Sequence, residues 1–505
     1  MNDTEETMDN RSIIELIVFL VYLIFMLSIG VWFFIKSRRS GEEGEKAYFL
    51  GGRKMGAWVT ALSAGSSDMS GWVLLGLPTS IYALGVGQIW IAVGLAIGYT
   101  LSWIFEASRL RKFSIVSDDS ITIPQYLTNR FKSASKALQV ICAVVFIVAY
   151  TVYAASSVKA CGTLFQTVLG VDPKISMCIA ALIIVAYTFL GGYSAVCWTD
   201  FFQSLLILGA MMLAPIISVA MANGQFSTLA GEGAENFWNA FGDPKDIVSG
   251  LGWGIGYFGM PHIIIRFMSL KSDRELKKSA KIGISWTVII LILAAVIGIL
   301  GRFSMGYDAE VVRDEKVFIN MVKNLFPVVS GIFLSAILAA SMSTADSQLL
   351  AASSSFASDV YKPIFKKGKV TDKGMMWVGR VVVLIIAAIA LVVALIPGSG
   401  NIMSLVSNAW GVFGAAFGPV ILLSLYWKRF NYPGAVAGIV AGAAVDILLV
   451  ALKKAEVPLP SVLQIYEIIP AALIGLIAAI VVTLATKKPS AEVEKLFDEA
   501  VAYSD

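Results

Sequence analysis

About thirteen stretches of roughly 20 apolar residues follow one another along this chain, each long enough to carry a helix across ~30 Å of hydrocarbon. They begin near residues 13, 55, 84, 138, 174, 194, 249, 279, 328, 376, 400, 430 and 466. Of the 505 residues, 57% are hydrophobic and 15% charged, with a mean hydropathy of +0.77; a soluble domain carries about a quarter charged residues. The expected fold is therefore all-α and polytopic, in a membrane. The first run is too long for a removable signal peptide and lacks a small-residue cleavage site, so it is expected to stay as a helix.

Basic residues set the expected orientation, because short loops rich in Lys and Arg stay on the cytoplasmic side. The connection after the first run holds Lys36, Arg38, Arg39, Lys46, Arg53 and Lys54; the one after the third holds Arg109, Arg111, Lys112, Arg130, Lys132 and Lys136. Every second connection then repeats the bias. It does so through Arg266, Lys271, Arg274, Lys277, Lys278 and Lys281, next through Lys362, Lys366, Lys367, Lys369 and Lys373, and finally through Lys428, Arg429, Lys487 and Lys488. The acidic start (Asp3, Glu5, Glu6, Asp9) and the loop with Glu232, Glu235, Asp243 and Asp246 fall outside. An odd number of spans, amino end out and carboxyl end in, satisfies these loops; the short turn at Gly191 and Gly192 is uninformative. The net charge of +4 then reports topology and implies no nucleic-acid partner.

Several chemistries are excluded by what the chain lacks. One histidine, His262, leaves no His-rich metal site or histidine proton relay. Cys142, Cys161, Cys178 and Cys197 lie in apolar runs without paired spacing, as buried thiols do. No Gly-rich phosphate loop ending in Lys-Ser or Lys-Thr is present, so the chain is not expected to hydrolyse ATP, and no nucleophile elbow suggests an enzyme. A channel, an ion-driven carrier or an intramembrane enzyme without a recognisable catalytic set remains.

Two spans are interrupted. In the second, Ser66, Ser67, Asp68, Met69, Ser70 and Gly71 break an otherwise apolar segment, and an ionisable group at such depth costs ~2.5–3.5 kcal/mol on insertion scales, which marks it as functional by default. The plainer alternative is that Asp68 only caps a kinked helix. In the seventh, Gly252, Gly254, Gly256, Gly259 and Pro261 crowd one span and weaken a continuous helix; close packing through glycine faces is the alternative there. Interrupted spans five apart are the pattern of two inverted repeats placing their first helices at a midplane site, which favours a carrier. In the ninth span Ala340, Ser343, Thr344 and Ser347 share a helix face, with Asp346 beside it. Hydroxyls and freed carbonyls suit a hard cation, although small hydroxylated faces also serve as plain helix contacts.

These residues resemble the sodium:solute symporter family. The likeness runs through Ala61-Leu62-Ser63-Ala64-Gly65, Ser67-Asp68-Met69-Ser70-Gly71-Trp72, Gly76-Leu77-Pro78, Gly191-Gly192, Trp198-Thr199-Asp200, Gly252-Trp253-Gly254, Gly256-Tyr257-Phe258-Gly259, Pro261-His262-Ile263, Leu334 to Ala340, Met342-Ser343-Thr344 and Gly411 to Pro419. The Asp-Met-Ser-Gly-Trp run resembles the family's proline branch. The resemblance implies a LeuT-type five-plus-five inverted repeat in spans two to eleven. Residues 1–54 would hold an outer tail, the first helix and an inner loop, 55–222 the first repeat, 223–426 an outer loop and the second repeat, 427–486 two peripheral helices, and 487–505 a cytoplasmic tail.

The same resemblance implies a sodium ion between the carbonyls of Ser66, Met69 and Ala340 and the hydroxyls of Ser343 and Thr344, with Asp68 as the essential nearby acid. It carries substrate contacts onto Ser70, Gly71, Trp72, Tyr153, Trp253, Tyr257 and Pro261. Broken-helix N–H groups can take a zwitterion's carboxylate while aromatics enclose an apolar ring. The expected activity is sodium-coupled import of L-proline by alternating access at the cytoplasmic membrane, with no obligate protein partner. Import of another amino acid or of pantothenate is the alternative, and a carrier-derived sensor or channel a more distant one. Three departures stand out: Ser66 where the family has Ala, Met260 where it has Gln before the Pro-His pair, and Asp346 where the proline branch is neutral. Met260 leaves the fine substrate preference open.

Asp200 and Asp346, with Ser343 and Ser347, form a second expected cation or proton site, on the premise that no basic residue lies at their depth. The alternative leaves both acids hydrated in the inward vestibule, acting only on sodium release. Lys159 is expected to snorkel at the outer end of the fourth span, His262 to be structural, and Asp446 to be interfacial. The tail from Pro489 is partly amphipathic and too short for a domain.

Overall fold

The computed structural model describes residues 10–40, 45–190, 192–221, 235–323, 325–366 and 369–504. The acidic start, Gly191, Glu232, Lys367 and the repeat boundary expected at 222 and 223 lie outside them. Among the described residues every regular element is a helix, apart from one isolated bridge between Met55 and Leu270. Ten helices among the described residues are long and apolar enough to cross a membrane. Of the other three expected spans, the fifth is the single helix Pro173–Leu190, and the second and seventh are built from pieces.

The second span consists of Ala57–Ser66, a non-helical stretch, a wide turn at Trp72–Gly76 and Leu77–Leu84. The seventh is Pro244–Gly252, a tightened 3-10 stretch at Trp253–Phe258, a break at Gly259 and Met260, and Pro261–Ser269. Both interruptions fall where the glycines and hydroxylated residues lie. Glycine also brings backbones together: a Cβ on Gly98 of the third span would lie 2.2 Å from the Gly254 carbonyl oxygen. Glu275, opening the eighth span (Asp273–Met305), accepts the Ala57 amide at 2.9 Å and so caps the second span.

The ninth span, Pro327–Ser355 with its wide-turn extension Phe356–Phe365, is central. In its most apolar window 83% is buried inside protein, against 22% in the first span. A helix surrounded on all sides can afford polar residues only where partners face them. It packs against the fourth span (Ala137–Leu169), the sixth (Tyr193–Met221) and the first (Asn10–Ser40). The eleventh span, Ile402–Tyr426, lies against the 3-10 stretch of the seventh.

Three sequence expectations are corrected, for Arg266, Asp446 and Cys178. Arg266, counted with a basic loop, is only 2% exposed inside the helical bundle. Asp446 is fully buried, because Gly411 of the eleventh span leaves room for its carboxylate: a Cβ there would meet Asp446 Oδ1 at 2.7 Å. The tail, in keeping with its amphipathic pattern, forms a helix, Ala491–Ala502, whose apolar face of Val493, Leu496, Phe497 and Ala500 is buried. Phe497 meets Phe113 edge to face at 5.3 Å, and Arg130 donates to the carbonyls of Ser424 (3.2 Å) and Val493 (3.3 Å). The four cysteines are free, and Cys178 is exposed on the bundle surface rather than buried.

Candidate functional site

The break in the second span frees carbonyls in the middle of the bundle, and side chains from other spans satisfy them. Ser66 ends the helix; the amides of Asp68 and Met69 both fold back onto Gly65 O, at 3.2 and 3.0 Å. The Ser66 carbonyl accepts from Ser343 Oγ at 2.8 Å and from Thr344 Oγ1 at 3.3 Å. Ser343 Oγ also lies 3.1 Å from the Ala340 carbonyl. Four of the five expected sodium ligands are thus gathered into one cluster of neutral hard oxygens bridging the second and ninth spans, two residues from Asp68. Met69, the fifth, is fully buried.

Asp68 is fully buried and joins the two breaks. Tyr257, on the 3-10 stretch of the seventh span, donates its hydroxyl to Asp68 Oδ2. The Asp68 carbonyl accepts from Trp72 Nε1 at 2.9 Å and from Tyr153 of the fourth span at 3.4 Å. Aromatic rings extend away from this point. Trp72 lies 6.3 Å from Trp253, Trp253 lies 5.1 Å from Tyr466, and Tyr257 meets Trp410 and Tyr99 edge-on at 5.1 and 5.0 Å. Trp410 Nε1 donates to the Trp253 carbonyl at 2.8 Å, fixing the seventh span where it tightens.

Of the expected substrate residues, Trp72, Tyr153, Trp253 and Tyr257 converge on this region. Ser70 Oγ accepts the Trp72 amide at 3.4 Å, starting the helix again, and Pro261 opens Pro261–Ser269 past the other break. Gly71 has a different role: a Cβ there would lie 2.5 Å from Ala160 Cβ, so it lets the fourth span approach, and only its backbone can face a ligand. Lys159 reaches the Gly400 carbonyl before the eleventh span, away from the breaks. His262 bonds to Tyr150 through both its ring, at 3.2 Å, and its amide, at 2.8 Å, as a structural residue does.

The second expected cation site looks different, because its premise fails. Arg266 Nη2 donates to Asp200 Oδ2 at 2.9 Å and to Ser347 Oγ at 2.6 Å, and its Nε donates to Ser63 Oγ at 2.8 Å. Ser63 in turn donates to Asp200 Oδ2 at 2.6 Å, and Ser347 Oγ lies 3.3 Å from Asp346 Oδ1. A basic residue therefore stands at the depth of both acids and is paired with one of them. Ser66 ties this knot to the oxygen cluster, since its hydroxyl donates to the Asp200 carbonyl at 3.2 Å. Its departure from Ala thus has a structural consequence.

Sequence reasoning missed Arg266, Ser63, Tyr99, Trp410 and Tyr466. Arg266 is five residues beyond Pro261, still within the helix that restarts there, and that spacing could have placed it inside. Trp410 had no such signal: it packs on Gly256, where a Cβ would overlap its indole at 2.0 Å, a fit between distant positions that only the fold reveals.

Two interrupted helices meeting at a buried acid, next to an oxygen cluster and a group of packed aromatic rings, define a secondary transporter of the LeuT type. The chain belongs to the sodium:solute symporter family, whose model matches residues 48–442. It is 41% identical to the sodium/proline symporter of Staphylococcus aureus (strain USA300) over 486 residues, covering 95% of this chain and 94% of that protein. It is 39% identical to the osmoregulated proline transporter OpuE of Bacillus subtilis (strain 168) over 491 residues, covering 96% and 97%. Its fold is similar to that of a Na+-coupled sialic acid symporter in a substrate-bound outward-open state, with a TM-score of 0.71 at 19% identity over 94% of this chain and 99% of that one. MhsT in complex with L-phenylalanine superposes with a TM-score of 0.54 at 14% identity, covering 86% and 99%. The protein is a multi-pass membrane transporter and not an enzyme.

Proposed function

We propose that this protein is a sodium-coupled symporter that imports L-proline by alternating access. The observation that carries the reading is the union of both helix breaks at Asp68, flanked by the oxygen cluster of Ser66, Ala340, Ser343 and Thr344. Neutral oxygens with one adjacent carboxylate suit a monovalent hard cation, and the relatives at about 40% identity over nearly the whole chain are named as proline transporters. Trp72, Tyr153, Trp253 and Tyr257 supply the apolar enclosure for the pyrrolidine ring, and backbone N–H groups at the breaks take its carboxylate. The basic loops orient the amino end outside and the carboxyl end in the cytoplasm, with residues 55–222 and 223–426 as the two repeats.

Sodium that binds the cluster holds the Ser66 carbonyl against the ninth span and so orders the break on which Asp68 and Trp72 sit. Sodium thereby raises affinity for proline, and proline raises affinity for sodium by the same factor. Met260, fully buried just before Pro261, is the one observation favouring a different small zwitterion. Uptake of radiolabelled proline into proteoliposomes, with and without an imposed sodium gradient, tests the reading. Accumulation only with the gradient is expected; sodium-driven uptake of another solute in place of proline overturns the substrate but not the coupling.

A further inference from the structure

A sodium ion leaving the oxygen cluster along the ninth span meets Ser347, one helical turn (~5.4 Å) beyond Ser343. Past Ser347 lies a narrow cavity lined by Phe49, Tyr193, Ile265, Arg266, Leu350 and Ser354; Phe49 belongs to the short helix Glu45–Leu50 of the first basic connection, which also carries Lys46. Arg266 and Ser347 belong both to this cavity and to the knot around Asp200. The guanidinium therefore stands at the junction between the cluster and the cavity.

Its chemistry suits that place. A guanidinium keeps its charge under all physiological conditions, and a second cation approaching it in a buried, weakly screening environment is repelled strongly. No residue of the knot is more than 3% exposed: Ser63, Asp200 and Asp346 are fully buried, Arg266 is 2% exposed and Ser347 3%. Asp200, the acid that would otherwise draw sodium onward, already pairs with Arg266 at 2.9 Å.

We propose that Arg266 is an electrostatic plug on the sodium exit path, held by Asp200, Ser63 and Ser347, which bars the cation until the inner half of the second span moves. The proposal rests on the sodium-coupled reading above. Ser63 and Ser66 are three residues apart on that half-helix, Ala57–Ser66. Ser63 accepts from Arg266 Nε and donates to Asp200, while the Ser66 carbonyl belongs to the oxygen cluster and its hydroxyl bonds to Asp200 O. One displacement of this half-helix removes a ligand from the sodium and an anchor from the plug together. Sodium without substrate, which does not trigger that displacement, stays in.

The test is sodium leak in the absence of proline, followed as radiolabelled sodium flux into proteoliposomes. Arg266→Gln removes the charge and is expected to raise the leak about tenfold or more over the native protein. Arg266→Lys keeps the charge but loses the forked donors, so it stays near the native leak while transporting proline more slowly. The double variant Arg266→Gln with Asp200→Asn leaves no unpaired acid behind and is expected to leak like Arg266→Gln; it carries the same test should the single variant fail to fold. Sodium-dependent proline binding by detergent-purified protein reports folding in each case. A leak in neither neutral variant, or an equal leak in Arg266→Lys, overturns the plug. Native protein without sodium-driven proline uptake overturns the function instead, and the leak comparison stands apart from it.

Discussion

The hydroxyl of Tyr257 donates to the carboxylate of Asp68, so a single hydrogen bond joins the interruption of the second span to that of the seventh. The two residues are fully buried, and each lies on a stretch where the α-helix has given way. Neither break is independent of the other. A ligand that repositions one side chain acts on both helices.

Hydrogen bonds to charged groups contribute ~1.5–3 kcal/mol, so Tyr257→Phe is expected to weaken sodium-dependent proline binding roughly ten- to hundredfold. Asp68→Asn should abolish sodium stimulation while the protein still reaches the membrane. Binding of labelled proline to purified protein across a sodium titration checks both. Undiminished sodium stimulation in the Asn variant would remove Asp68 from the site.

Ser343→Ala and Thr344→Ala each delete a neutral oxygen from the cluster on Ser66 O. At about 1 kcal/mol per neutral partner, each should raise the sodium concentration for half-maximal uptake roughly fivefold, with little change in thermal stability. An unaltered sodium titration in both variants would show that the cation binds elsewhere.

Trp253 packs against Trp72 and Tyr466, whereas the oxygen cluster is built from Ser66, Ala340, Ser343 and Thr344. Trp253→Ala is therefore expected to weaken proline binding strongly, with the sodium response at saturating proline nearly unchanged. Trp410→Phe keeps a ring but loses the 2.8 Å bond to the Trp253 carbonyl, and should reproduce a milder version of the same defect. Equal effects on sodium and proline titrations would count against this division of labour.

Glu315 lies in the connection between the eighth and ninth spans and accepts the Ile402 amide at 2.8 Å and the Met403 amide at 3.2 Å, capping the eleventh span. Burial pushes its carboxyl up from 4.5 to about 7, against the pull of those amides and of Lys159. An acid raised on folding favours the protonated form, so its contribution is full below the unfolded value and is lost as pH rises through the folded one. Thermal stability should fall between about pH 4.5 and 7 by an amount on the order of 3 kcal/mol at this one group. Glu315→Gln should flatten that part of the profile, and a slope identical to the native one would refute the assignment.

What the sequence displayed depended on the kind of signal. Long apolar runs and clustered glycines announce the spans and both breaks, because those features act locally on the backbone. The faces of Ser343 and Thr344 followed from helical spacing. Arg266 was hidden because charge near a run of Lys and Arg reads as a loop, whereas the helix that restarts at Pro261 carries it one turn further into the bundle. Asp446 was misplaced for a related reason: its burial depends on Gly411, 35 positions earlier in the chain, and no local pattern reports that fit. The tail kept its helix visible as an amphipathic pattern but gave no hint of the surface that receives it.

Arg130 splices three strands of the chain: its own loop helix Ile123–Arg130, the end of the eleventh span through Ser424, and the terminal helix through Val493 and the ring of Phe497, 5.0 Å away. Those two carbonyls hang on one planar group, so the end of the eleventh span cannot tilt relative to the loop helix without straining the tail. A fluorophore on exposed Glu499 would thus ride on a lever connected to the scaffold. It could follow each turn of the transport cycle from the water, without touching a residue that handles sodium or proline.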